Sequence, residues 1–398
     1  MLGSIFIGLS GMQAFSKGLQ TISNNVANLD TLGYKTTTVS FSDMFGGHAN
    51  GMAYTNGDTS GSTGNGVRRD ADRIDFRAGT AQQTGGALDL AIQGSGFLVV
   101  RNELGDTYYV RTGQFAIDTK GYIVNSHGDR LTILNAQNAP EVINVDNKRT
   151  SAPVATKTIT FSQNLSSSES TATVSNISVF DSNGAAQVWT VSLAKGTVTG
   201  STVEWTVTVK DQAGATIGDG KISFNGGLMM PSASSITVNT TPNGASAMSV
   251  KLDFASVTSF SAGTTNTLQA SKIDGNAVGS LTSATVNAKG QLVLTYSNSQ
   301  TEELGAIALA DFQDLQQLVR VGNGLFRDAG GDGKVEYKAS ATGGIGTLQS
   351  GQVEASNVDL TAEFGTLILV QRGFGASSQV VSATNDMIQQ LFGMRGHG

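Results

Sequence analysis

Apolar side chains near the start of the chain fall at Leu9, Met12, Phe15, Leu19, Ile22, Val26 and Leu29, in steps of three or four that trace one helical face. The pattern predicts an amphipathic helix over residues 5 to 32, a rod of about 40 Å at 1.5 Å per residue. Gly33 stands where a left-handed C-terminal cap is expected, and Tyr34 after it supplies the accompanying apolar contact.

A second long helix is predicted at the far end. Ser356 with Asp359 three residues on reads as a capping box, and Asp359 and Glu363 place acidic charge on the first turns, where the helix dipole favours it. Leu360, Leu367, Phe374, Val381 and Ile388 then recur every seven residues, and Phe364 and Leu391 widen the stripe. Gln371, Ser378 and Asn385 are assigned to the alternate positions of that seam. Gly365, Gly373 and Gly375 weigh against a straight helix, at about 1 kcal/mol each relative to alanine. Periodicity leaves two readings open: each helix covers a β-domain of its own chain, or it keeps apolar surface for other chains.

Between the helices the pattern is that of strands and turns. Phe97 to Arg101 and Thr107 to Arg111 flank one turn, and Gln114 to Ile117 and Tyr122 to Val124 flank another, as hairpins do. Alternation is clear at Val203, Trp205, Val207 and Val209, and again at Met248, Val250, Leu252 and Phe254. Asn183-Gly184 fits a tight turn joining Ile177 to Phe180 with Val188 to Leu193. Residues 151 to 280 are poor in charge and rich in serine and threonine, which reads as a separate β-sandwich or barrel. Gly46 to Gly66 is rich in Gly, Ser, Thr and Asn and predicts a long arm, anchored by Phe41, Met44 and Phe45.

These elements give a multidomain α+β chain. Residues 1–35 and 356–398 form a coiled-coil-like helical core domain, and 36–70 an extended arm. Residues 71–145 and 285–355 form an inner β-domain, with an outer β-domain of sandwich or barrel type inserted at 146–284. Two helical ends so far apart in sequence share one bundle only if the middle is looped out in this nested order.

Composition narrows the chemistry. With 398 residues, 50 glycines, only 4 prolines and 14% charged residues, the chain is long enough for two or three domains and rich in turns. A net charge of −6 offers no basic field for nucleic acid. The absence of cysteine excludes disulfides and thiolate sites. No apolar run approaches the roughly 18 residues of a membrane-spanning helix, so no membrane insertion is expected. The first basic residue is Lys17, which suits a secretory signal poorly, so the chain is expected to stay in the cytosol or to leave by a route needing no cleaved signal.

Candidate catalytic and metal sites fall away one by one. His48, His127 and His397 show no ligand spacing. Asp328, Asp332 and Gly333 resemble a calcium loop faintly, but Gly330 and Ala339 stand where oxygen ligands are needed. Gly94-Ser95-Gly96 and Gly344-Ile345-Gly346 lack the third glycine of a dinucleotide fingerprint. Asp70, Asp72 and Asp75 lie beside Arg68, Arg69, Arg73 and Arg77, and read as surface ion pairs rather than a glycosidase carboxylate pair. No enzyme, cofactor or metal is expected.

The termini resemble the bacterial flagellar rod, hook and hook-associated family. Leu9-Ser10-Gly11-Met12, Asn24-Asn25-Val26-Ala27-Asn28 and Thr31-Leu32-Gly33-Tyr34-Lys35 are similar to its N-terminal signature, and Ser356-Asn357-Val358-Asp359-Leu360 with Gln371-Arg372 to its C-terminal helix. Leu88 to Phe97 and Arg111-Thr112-Gly113-Gln114-Phe115 resemble its inner β-domain. Phe41-Ser42-Asp43-Met44-Phe45 and Tyr296-Ser297-Asn298-Ser299-Gln300 look like its hook branch rather than its distal rod branch.

The resemblance implies a non-enzymatic subunit that polymerises into a curved, flexible tube outside the cell and transmits torque as a universal joint. It implies export without a cleaved signal. Its partners would be copies of itself in a helical homopolymer, the distal rod protein, the hook–filament junction protein, the hook cap and the export apparatus. The expected self-assembly seam is Leu9, Met12, Phe15, Leu19, Ile22, Asn25, Val26, Leu29, Leu360, Phe364, Leu367, Phe374, Val381, Ile388 and Leu391. A distal rod protein and a secreted β-rich adhesin remain as alternatives.

Overall fold

A computed structural model describes residues 2–45, 64–242, 244–330 and 335–395. Most of the expected arm, together with His48, His397, Asp332 and Gly333, lies outside the described residues. The chain is mostly β-structure with one long helix at each end, and it divides into two compact units. One comprises Met1–Asp146, Ala284–Val293 and Glu303–Gly398, and the other Asn147–Ser283 and Leu294–Glu302.

Helix α1 runs over Leu2–Ala27, shorter at its C-terminal end than the apolar stripe suggests. Asparagine ends it: the Asn28 side-chain amide donates to the carbonyl of Asn24 at 2.8 Å, and the Asn28 N–H turns back to Asn25 O at 3.1 Å. Such local bonds compete with the helical ladder. Gly33 is left-handed, with φ of +67°, but it closes the turn run after the helix rather than capping it. Helix α2 runs unbroken over Leu360–Arg395 through all three glycines. Its cap is Asp359, whose Oδ1 accepts the N–H groups of Thr361 at 2.8 Å and Ala362 at 3.2 Å. The capping box expected from Ser356 is therefore displaced: Ser356 Oγ reaches only the N–H of Val358, at 3.3 Å, because Asp359 carries the better acceptor one residue before the helix.

The described ends of the expected arm are strands. Thr37–Thr38 pairs with Arg73–Ile74, and Phe41–Phe45 with Gly64–Arg69 as an antiparallel hairpin. That hairpin packs along α1: the Phe15 and Phe41 ring centroids lie 5.1 Å apart, and Ser10 Oγ accepts the N–H of Val67 at 3.2 Å.

The β-part of the first unit is built on the hairpins legible in the sequence. Phe97–Arg101 pairs with Thr107–Val110, with Val99 opposite Tyr109, and Ile117 lies opposite Ile123. They join a ten-stranded sheet over a core of Phe97, Val99, Tyr109, Leu318 and Phe326. Asp89–Gln93 lies between Thr347–Ser350 and Thr112–Gln114 in a smaller sheet.

The second unit is a nine-stranded, nearly closed, barrel-like sheet. Its pairs are antiparallel except Thr158–Asn164 with Met248–Thr258, which run parallel. Trp205, Val207 and Val209 alternate inward with Val250, Leu252 and Phe254, and all six are fully buried, as the period of two requires. The Asn183-Gly184 turn joins Thr171–Phe180 to Ala186–Thr199, with Phe180 opposite Ala186.

Candidate functional site

The two terminal helices of the first unit lie antiparallel, and small residues bring them together. On α1 the inward positions are Gly8, Gly11, Phe15, Gly18, Ile22 and Asn25, all buried except the half-buried Phe15. On α2 they are Glu363, Val370, Ser377 and Thr384, alternating with Leu360, Leu367, Phe374, Val381 and Ile388. Both sets step by three and four, the spacing at which two helices keep one face toward each other.

A Cβ added to Gly8 would stand 2.7 Å from Val381, one on Gly11 2.5 Å from Ser377 Oγ, and one on Gly18 3.3 Å from Val370. At the end of the seam the amide of Asn25 donates to Glu363 Oε1 at 2.9 Å. Seven residues forward along α1, from Gly11 to Gly18 to Asn25, correspond to seven back along α2, from Ser377 to Val370 to Glu363. From the other side, Gly373 admits the ring of Phe15, whose nearest atom would be 2.6 Å from a Cβ there.

This corrects the alternate seam positions. Gln371, Ser378 and Asn385 are exposed, whereas Val370 and Thr384 are buried and Glu363 and Ser377 half-buried. Thr384 is accommodated because its hydroxyl donates to Val380 O at 2.7 Å. Of the residues expected in the seam, Ile22 and Asn25 are buried, and Met12, Phe15, Leu19, Val26, Leu29, Leu360, Leu367, Phe374, Val381 and Ile388 are half-buried. Leu9, Phe364 and Leu391 are about half exposed.

The faces turned away from that contact remain strongly apolar. Phe6 is 66% exposed, Leu369 70% and Phe392 71%, and Ile7, Ile368 and Met387 are also exposed. No helix among the described residues is long and apolar enough to cross a membrane.

Where the helices meet the β-part, the signature residues assemble a buried polar junction. Asn25 is fully engaged: besides Glu363 it donates to Thr37 O at 2.9 Å and accepts from Thr37 N and Tyr34 Oη, each at 3.1 Å. Burial pushes the Glu363 carboxyl above the usual range and the charge of Asp359 adds to this, although the Asn25 bond opposes it.

Beside it, Glu354 is 2% exposed and accepts from the Lys35 ammonium, from Gly79 N at 2.8 Å and from Arg111 Nε at 3.1 Å. Arg111 spends its other nitrogens on the carbonyls of Gly96, Ile92 and Gly94. Burial pulls the Lys35 ammonium below its ordinary pKa, against the attraction of Glu354. Asn357 Oδ1 accepts from Thr36 N at 2.7 Å, and its amide donates to Asp75 O at 2.8 Å and Arg77 O at 3.0 Å.

Sequence reasoning singled out Lys35, Arg111 and Asn357 only as parts of a signature, and passed over Glu354 and the packing roles of Gly8, Gly11 and Gly18. Glycines carry no hydrophobic signal, but their own spacing of three and seven, which keeps to one helical face, could have revealed it.

The chain is similar to known proteins along nearly its whole length. A family model described as flagella basal body rod protein matches residues 5–35. One described as flagellar hook protein FlgE/F/G D1 domain matches 91–167, and one described as flagellar basal body rod FlgEFG protein C-terminal matches 349–394. The flagellar hook protein FlgE of Escherichia coli (strain K12) is 30% identical over 414 residues, covering 97% of this chain and 98% of that protein. The flagellar hook protein FlgE of Rhizobium meliloti (strain 1021) is 27% identical over 419 residues, covering 99% of each. A solved structure, the Helicobacter pylori flagellar hook protein FlgE2, superposes with a TM-score of 0.49 at 12% identity, covering 67% of this chain and 99% of that one. With 30% identity sustained along nearly the whole of both sequences, the chain belongs to the flagellar hook protein family.

Proposed function

We propose that this chain is the structural subunit of the flagellar hook and that it polymerises through the outward faces of α1 and α2 into a curved, flexible tube that carries torque from rod to filament. The observation that carries the reading is the row of uncovered apolar side chains on a helix pair whose inner face is already satisfied: Phe6, Phe364, Leu369 and Phe392 are all more than half exposed. Each such side chain gains roughly 1.5–3 kcal/mol when covered. Neighbouring copies cover them by contacts that do not close on themselves, which is how a helical polymer grows. In this reading the paired helices form a coiled-coil-like core domain. The subunit leaves the cell without a cleaved signal, and the ends of the tube meet the distal rod protein, the junction protein and the cap.

Electron microscopy of concentrated full-length protein tests the reading. The parent forms tubes, and Leu369→Asp forms none while the β-part melts at the parent temperature. Normal tubes from Leu369→Asp, or a parent that stays monomeric at high concentration, would overturn it.

A further inference from the structure

Three passages of chain meet in the first unit: residues 33–38 lead from α1 into the hairpin and lie against the other two, residues 70–79 and 354–359, which join the hairpin and α2 to the β-part. Left untied, three adjacent peptide segments twist past one another by small rotations about φ and ψ. Here they are tied. Glu354, in the third passage, accepts from Lys35 in the first and from Gly79 N in the second, and Arg111 of the β-part holds its other oxygen.

Asn357 repeats the arrangement three residues later, accepting from Thr36 N and donating to the carbonyls of Asp75 and Arg77. Backbone bonds complete the bundle: Gly33 N to Glu354 O at 2.7 Å, Asp75 N to Thr36 O at 2.9 Å and Ala355 N to Thr80 O at 2.9 Å. Lys35, Glu354 and Arg111 are 0%, 2% and 3% exposed, so no bulk water stands ready to replace a broken bond.

We propose that Glu354 and Asn357 are torsional pins: each bonds the third passage to both of the others, and together they make the joint between helices and β-part stiff in twist. The proposal rests on the reading of the chain as a hook subunit, since only a subunit that carries torque needs such stiffness. Burying two cations and one carboxylate is a poor way to gain stability, because apolar residues of equal volume serve as well or better. Directional bonds do what apolar packing does not, which is to resist shear between the segments they join. Glu354 and Asn357 touch no substrate and form no part of the outward apolar faces. They are positioning residues, acting through the three passages they hold.

The test uses tubes of full-length protein fixed to a surface at one end with a bead at the other, the thermal angular variance of the bead reporting torsional compliance. Asn357→Ala and Glu354→Gln are compared with the parent, alongside their thermal melting. The expected result is tubes of normal appearance with a larger angular variance, so a loss of torsional stiffness beyond any change in melting temperature.

A variance equal to the parent's, with or without a lower melting temperature, reduces both residues to structural ones and overturns the proposal. Parent tubes with none from either variant would mean that the bonds set the helices for their neighbours, which also overturns it. Failure of the parent itself to form tubes would count instead against the hook reading on which the proposal stands.

Discussion

Gly11 of α1 and Ser377 of α2 meet so closely that a Cβ on Gly11 would stand 2.5 Å from the Ser377 hydroxyl oxygen and 3.2 Å from its Cβ. The helices approach this closely only because one partner has no side chain and the other a small one. Gly11→Leu must push α2 away or force strained rotamers, at a cost of about 1–3 kcal/mol. Amide exchange should show protection lost in both helices and retained in the second unit, whose core shares no residue with them. Unchanged protection of α1 would refute the close packing.

The same contact marks where sequence reading succeeded and where it stopped. The positions recurring every seven residues on α2, Leu360 to Ile388, were legible because leucine, phenylalanine, valine and isoleucine announce burial. The other half of that seam was not, because Glu363, Ser377 and Thr384 look like surface residues; Glu363 and Thr384 are accommodated through the Asn25 and Val380 bonds, and Ser377 because it is small and faces Gly11. On α1 the apolar stripe pointed partly off the contact, since half of the inward face is glycine and Leu9 remains half exposed. Strands fared better: the alternation at Trp205, Val207 and Val209 survives folding unchanged, because a two-residue period leaves no doubt about which face is inside. The junction at Glu354 was invisible for a different reason. Its partners lie at positions 35, 79 and 111, and no local pattern couples residues so far apart.

Glu354→Ala should be among the most damaging single changes in the first unit. It leaves the Lys35 ammonium and the Arg111 guanidinium buried without a counter-ion, and losing one partner of such a set costs about 3–5 kcal/mol. Replacing Lys35, Glu354 and Arg111 together by Met, Leu and Met should cost far less. Denaturant unfolding of the three proteins decides it: a single variant no less stable than the parent would mean that the site is wet.

Glu363 gives the helix pair a pH dependence whose sign is set by burial. Its carboxyl titrates above its ordinary value in the folded chain, so the folded state holds the proton over a pH range in which the unfolded chain has released it. The stability it contributes is therefore complete below the unfolded value near 4.5 and is lost as pH rises through the folded one. Glu363→Gln keeps an oxygen for the Asn25 amide and removes the charge. The variant should be more stable than the parent at pH 7, with the difference shrinking toward pH 4. Denaturant midpoints at the two pH values check this, and a difference that widens on acidification would show that Glu363 is stabilised as the carboxylate.

Finally, the second unit is open to removal at a defined place. Ser151 and Gly279 are register partners, as are Thr150 and Ser280, so the two cut ends already lie side by side and a short Gly-Ser turn can replace residues 152–278 at little loop-closure cost. The first unit should then fold and form tubes, because neither helix nor the Glu354 junction draws on the excised residues. What should change is curvature. A bent tube that rotates shortens its inner side and lengthens its outer side on every turn, and contacts that follow must slide. Exposing even 200 Å² of apolar surface at about 25 cal/mol per Å² would cost roughly 5 kcal/mol per subunit on each turn, whereas small polar contacts exchange with water cheaply. Serine and threonine dominate the outward positions of this barrel-like sheet, as at Thr202, Thr206 and Thr208 along the strand whose other face buries Trp205 and Val207. Excised tubes should be straight or altered in curvature under electron microscopy, and tubes with the parent's curvature and flexibility would show that bending is set elsewhere in the subunit.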